Sequence, residues 1–158
     1  MRRAQGFTLI ELLVVMTVLG IMLGIGIPSF KNFTANQRVK SASYELSTSL
    51  LYARSEAIKR NATITVTPAS GTDWTTGWNV ASTSATLQNQ PSLTGVSITQ
   101  TPSAAAITFQ GTGRPTVTSK TYWLIGTSTS ATVTARCVAL DAAGVPTAAS
   151  SSTGTSCP

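Results

Sequence analysis

Three hydrophobic rhythms succeed one another along the chain. From Phe7 to Ile27 apolar residues run almost unbroken (FTLIELLVVMTVLGIMLGIGI), with Glu11 the single charge in 21 residues. As a helix this stretch is long enough to cross the ~30 Å hydrocarbon core of a bilayer. Gly20, Gly24, Gly26 and Pro28 are expected to weaken it locally. Between residues 31 and 60 the rhythm becomes three and four. Val39, Ala42, Leu46, Leu50, Ala53 and Ala57 fall on one face of a 3.6-period helix. Glu56 and Arg60 form an i,i+4 pair, Lys59 and Arg60 suit the negative end of the helix dipole, and Asn61 suits the position just past it. From Ala62 the rhythm becomes two. Ile64 and Val66 alternate with Thr, as do Val96 with Ile98 and Ile107 with Phe109, and Tyr122–Ile125 and Val133–Leu140 supply two more runs. Pro68, Gly71, Pro91, Gly95, Pro102, Gly111, Gly113, Gly126 and Gly144 punctuate them. This predicts an antiparallel β domain of short strands whose one face is covered by the apolar stripe of the helix. Residues 81–90 and 148–156 read as loops.

Composition removes most chemistry. There is no His among the 158 residues, so neither a Ser-His-Asp nor a Cys-His nucleophile can form, nor a His-ligated metal site. The 5 acids are scattered, which leaves no carboxylate pair for acid–base work. Two Cys cannot build a four-thiolate zinc site. Asp73 and Asp141 are lone acids, far short of the 6–8 oxygens calcium takes. No catalytic residue, metal or cofactor is expected, and the chain is not read as an enzyme. The net charge of +6 is concentrated in Arg2, Arg3 and the segment holding Lys31, Arg38, Lys40, Arg54, Lys59 and Arg60. The β-rich part is nearly neutral, which weakens the nucleic-acid reading that a basic chain otherwise invites.

The apolar run near the N-terminus has an ordinary reading as a signal peptide or signal anchor. Against it, no small-x-small cleavage site stands in suitable flanks. Glu11 also lies within the apolar segment, where an unpaired carboxylate costs a few kcal/mol. Arg2 and Arg3 place the N-terminus in the cytoplasm and the remainder on the other side. The run Gly6-Phe7-Thr8-Leu9-Ile10-Glu11, with its short basic leader and apolar tail, resembles the cleavage and assembly signature of type IV pilins and pseudopilins.

That resemblance implies a division of the chain. Residues 1–6 would be a leader, removed by a prepilin peptidase after Gly6, with Phe7 becoming the N-methylated terminus. Residues 7–30 would be the transmembrane and assembly helix, 31–61 an amphipathic helix and 62–158 a β-rich head. Glu11 would pair with the N-terminal amine of a neighbouring subunit, which agrees with the need of a buried carboxylate for a cation. The implied fold is α+β and type IV pilin-like, a long N-terminal helix packed on an antiparallel sheet. The implied site is the bacterial inner membrane, with the head in the periplasm before incorporation into a filament, and membrane lipid around the apolar helix.

Further motifs narrow the resemblance. Residues 54–61 (RSEAIKRN), the Asp73–Trp78 run (DWTTGW) and the turn 109–114 (FQGTGR) are similar to the GspH/FimT class of minor pilins and pseudopilins, among them proteins of the FimU type. Trp74 and Trp78 read as anchors packing a hairpin on the helix. Cys137 and Cys157, in an oxidising periplasm, read as a structural disulfide worth ~3 kcal/mol in the chain-entropy model. The implied function is structural: to prime or cap a type IV pilus, or a type II secretion pseudopilus, by binding other minor subunits. The alternative is a DNA receptor for natural transformation. The Gly-Arg-x-Arg element of such relatives is replaced here by Gly144-Val145-Pro146-Thr147. Only Arg114, Lys120 and Arg136 remain in the head as candidate DNA contacts, which speaks against that alternative.

Overall fold

A computed structural model describes residues 7–117, 120–127, 133–151 and 157, with the backbone alone at 25, 26 and 28. Helix α1 runs from Leu9 to Arg60, unbroken through the glycines and Pro28. Both ends are set by residues visible in the sequence. At the start Thr8 and Glu11 form a capping box. At the end Asn61 adopts a left-handed φ of 45°. The Ala62 N–H bonds the Ala57 carbonyl at 3.2 Å and the Asn61 N–H bonds that of Ile58 at 3.2 Å. This is the Schellman arrangement that satisfies otherwise orphaned carbonyls.

The chain divides into two compact units, Met1–Thr34 and Ala35–Pro158. In the first, every residue from 7 to 24 is exposed. This part of α1 is long and apolar enough to cross a membrane. In the second, the whole predicted stripe (Val39, Ala42, Leu46, Leu50, Ala53, Ala57) is buried.

The stripe packs into a core shared by two antiparallel sheets. The first holds β1 (Ile64–Ser70), β2 (Asp73–Ser82), β3 (Thr86–Gln90) and β5 (Ile107–Phe109), in the order β3-β2-β1-β5. The second holds β4 (Ser97–Thr101), β6 (Thr121–Gly126), β7 (Arg136–Leu140) and β8 (Pro146–Ser150), in the order β4-β6-β7-β8. Alternation sets the faces: Ile64 and Val66 on β1, Trp78 and Val80 on β2, and Trp123 and Ile125 on β6 point inward and are fully buried. Trp74 bridges the sheets. Its indole meets Trp123 edge-on, and its Nε1–H donates to Gln100 Oε1 on β4 at 2.9 Å.

The α+β architecture, a long N-terminal helix and an antiparallel β head, stands as expected, and the strands of the head divide between two sheets. Two corrections follow. The expected loop over 81–90 is instead the end of β2, a tight turn in which the Ser82 N–H bonds the Ala85 carbonyl at 2.9 Å, and strand β3. β3 (TLQNQ) has no β-branched alternation to betray it. It is held by pairing with β2 and by two glutamines that reach α1, Gln88 Nε2 to Ser49 Oγ at 3.2 Å and Gln90 Nε2 to Glu45 Oε2 at 3.0 Å. The expected loop over 148–156 begins as strand β8, whose small residues pair with β7, while residues 152–156 lie outside the described ones.

Candidate functional site

Gly6 lies outside the described residues, and Phe7 is exposed just before α1. Glu11 Oε2 accepts two hydrogen bonds from Thr8, from its backbone N–H at 2.9 Å and its hydroxyl at 2.9 Å. The Glu11 N–H in turn lies 3.4 Å from Thr8 Oγ1. The T-x-x-E spacing is the capping-box signature, which a reading of Glu11 as a charge in search of a cation passes over. Within one chain the carboxylate already has local donors, next to the residue that would carry the processed terminus.

The head offers acids only in structural roles. Asp73 Oδ1 accepts the Thr75 N–H at 2.9 Å and Asp141 Oδ1 the Ala143 N–H at 3.0 Å, each closing a turn. Glu45 holds Gln90. Glu56, nearly buried, is bridged by Arg60 Nε at 2.6 Å and Lys59 Nζ at 3.4 Å. The Arg60 hydrogen bond, with the nearby Lys59 charge, lowers the Glu56 carboxyl below its ordinary value, outweighing the opposing effect of burial. Among the described residues no cluster of three or more His, Cys, Asp or Glu could hold a metal ion. Trp74 and Trp78 are fully buried, with ring centroids 6.4 Å apart, so neither presents a face to a ligand.

The three candidate DNA contacts do not converge. In the β6–β7 ladder Thr121 pairs with Leu140 and Ile125 with Arg136. Lys120 and Arg136 therefore flank opposite ends of that pair of strands. Lys120 lies over the Tyr122 ring, with Nζ 5.3 Å from the centroid. Arg136 shares a face with buried Ile125 and turns toward the helix, its guanidinium 5.9 Å from the centre of the Tyr44 ring. Arg114 is exposed on the turn after β5. That turn is seated on the helix: Gly113, with φ +77°, leaves no room for a Cβ beside Ile58.

Cys137 and Cys157 are joined by a disulfide with their Cα atoms 5.6 Å apart. Cys137 pairs with Leu124, on the side of the second sheet turned away from the core, and Cys157 Sγ lies 3.9 Å from the Trp123 carbonyl. The end of the chain is thus tied to the outside of β6 and β7.

Comparison with known proteins places these features. The family model of the type II transport protein GspH matches residues 42–148. The model of the prokaryotic N-terminal methylation motif matches residues 1–27. Two fimbrial proteins of Pseudomonas aeruginosa are each 43% identical over 47 residues, which is 30% of this chain and 30% of theirs. The chain therefore spans less than a third of the length of these curated relatives. Two crystal structures of the type IV minor pilin FimU of Pseudomonas aeruginosa strain PAO1 share the fold. One superimposes with a TM-score of 0.67 at 20% identity, over 77% of this chain and 98% of that one. The other gives 0.63 at 21% identity, over 73% and 98%.

A methylation motif on an exposed apolar helix, in a chain that matches the GspH model over most of its length and shares the fold of a minor pilin, defines a pilin-like structural subunit. The chain belongs to the GspH family.

Proposed function

We propose that this chain is a minor subunit that primes or caps a type IV pilus or a type II secretion pseudopilus by binding other minor subunits. The observation that carries the reading is the N-terminal segment itself: a methylation motif feeding an apolar helix in which Glu11 is the one charge. A prepilin peptidase would cut after Gly6 and leave Phe7 as the methylated terminus. Before assembly the helix would sit in the inner membrane, among lipid, with the head in the periplasm. A carboxylate in an apolar surrounding is costly unless paired. In the filament Glu11 would exchange its local Thr8 donors for the positive amine of a neighbour, a stronger, charge-assisted partner.

Deletion of the gene, with electron-microscopic counting of surface pili, tests this. Loss of pili that is restored by the wild-type copy but not by Glu11→Ala is expected for a pilus subunit. Normal pili together with a lost type II secretion activity would assign the chain to the pseudopilus. Normal pili and normal secretion would overturn the proposal.

A further inference from the structure

The apolar run of α1 and a bilayer match in length, and this sets a depth for the residues that follow. Phe7–Ile27 spans about 30 Å as a helix, the thickness of the hydrocarbon core. With that run in the core, Phe30, Lys31 and Phe33 lie about 4.5, 6 and 9 Å beyond its edge along the unbroken helix. The polar layer of the bilayer adds about 5–7 Å on each side. Helical side chains lean toward the N-terminus, which here is the bilayer side. All three therefore reach back into the polar layer, although the apolar run ends at Ile27.

Their chemistry suits that layer. Phe30 and Phe33 are 70% and 61% exposed, and with Ile27, 53% exposed, they follow one another at spacings of three. They prolong one apolar face past the end of the run. Lys31, also exposed, stands between the two rings in the sequence. Among the described residues it has no carboxylate partner, the ion pairs being those of Glu56 with Lys59 and Arg60. It is the first charge after Glu11, and the next acid along the chain is Glu45, so no nearby acid in the sequence opposes a phosphate. The Thr34 hydroxyl donates to the Phe30 carbonyl at 2.9 Å, as that of Thr17, inside the apolar run, donates to the Val14 carbonyl at 2.8 Å. A hydroxyl satisfied within its own helix needs no water. Aromatic rings flanking an ammonium are the mixture found where a helix leaves a membrane. The helix of another subunit fits this segment less well, because it would bury Lys31 and would have to bring an acid to it.

We infer that Phe30, Lys31 and Phe33 form a lipid-binding anchor at the leaflet through which α1 leaves the bilayer. The two rings sit among the headgroups, and the Lys31 ammonium binds their phosphates, with a preference for anionic phospholipid. Contact with the bilayer thus extends to Phe33, past the expected boundary at residue 30. The anchor sets the depth at which α1 is held before assembly. The inference rests on the proposed membrane-embedded stage of the chain and adds to it a site, a ligand class and a lipid preference.

The full-length chain in vesicles tests this, with phosphatidylcholine alone or with about one-third phosphatidylglycerol. Two probes are read residue by residue by mass spectrometry. One is lysine acetylation by a membrane-impermeant reagent, normalised to Lys59. The other is photolabelling by phospholipids that carry a diazirine in the headgroup or in the acyl chain. Lys31 is expected to be acetylated about fivefold more slowly in the anionic vesicles, with the difference lost at about 0.5 M salt. Headgroup adducts are expected on Phe30 and Phe33 at every protein-to-lipid ratio. Equal acetylation of Lys31 in both lipids overturns the inference. So does a lack of headgroup adducts on Phe30 and Phe33 while acyl-chain adducts cover residues 10–27, a result that leaves the membrane stage standing. Protection of Lys31 that develops only as the protein-to-lipid ratio rises means that a second copy covers the segment, and also overturns it. Acyl-chain adducts missing from residues 10–27 overturn the membrane stage first.

Discussion

The indole of Trp74, on β2, meets that of Trp123, on β6, edge to face with 5.4 Å between ring centroids. The contact crosses from one sheet to the other, and both rings are fully buried. Aromatic pairs in this geometry add to the large apolar area each ring removes from water. Trp74→Ala is therefore expected to destabilise the head by about 3–5 kcal/mol. It would also take from Gln100 Oε1 its indole donor, leaving the Ala104 N–H at 3.0 Å. Urea unfolding of the detergent-solubilised chain, followed through the remaining tryptophans, measures this.

Thr8 opens α1 through its bonds to Glu11. Thr8→Val removes the hydroxyl that both donates to the carboxylate and lies near the Glu11 N–H. The first turn should lose about 1 kcal/mol, and Thr8→Ser should restore most of it. Amide exchange over residues 8–12 in micelles reads the difference as faster opening in the valine variant and near-normal opening in the serine one.

Glu56 makes the head sensitive to acid. Its folded-state pKa lies below the ordinary carboxylate value, chiefly through the hydrogen bond from Arg60. Folding therefore favours the ionised form. The stabilisation is complete above the unfolded-state pKa, near ~4.3, and is lost as pH falls through the lower folded value. The urea midpoint of the wild type should drop between about pH 5 and pH 3. Glu56→Gln should be less stable at pH 7 and show a shallower drop over the same interval.

The disulfide closes a loop with a sequence separation of 20. Cys157→Ser should cost about 3 kcal/mol if the bridge acts by restricting the unfolded chain. Reducing the wild type should lower its denaturation midpoint to that of the variant. The variant itself should show no response to reductant.

Much of the architecture is legible from periodicity. All six residues of the α1 stripe face the core, because a 3.6-period pattern admits one apolar face. The end of α1 is readable too, since Asn tolerates the left-handed backbone found at Asn61. Strands β1, β4, β5 and β6 announce themselves through alternating β-branched and aromatic residues. β3 and β8 do not. They are built largely of Gln, Asn, Ala, Ser and Thr, a mixture with little alternation, and pairing with β2 and β7 makes them strands. The pattern leaves open how the strands divide between sheets, because alternation reports which side of a strand is buried and says nothing about which strands are neighbours.

The N-terminal signature, the apolar helix with its lone acid, the absence of His and of paired carboxylates, and the change of rhythm along α1 are properties of local order along the chain. They could be read before any contact was known. Where distant residues meet is a matter of the folded head. There Trp74 is set against Trp123, and Arg136 turns inward to Tyr44, apart from Lys120. Side-chain direction along one element follows from its period, whereas register and strand order are settled by the non-local packing of the whole core.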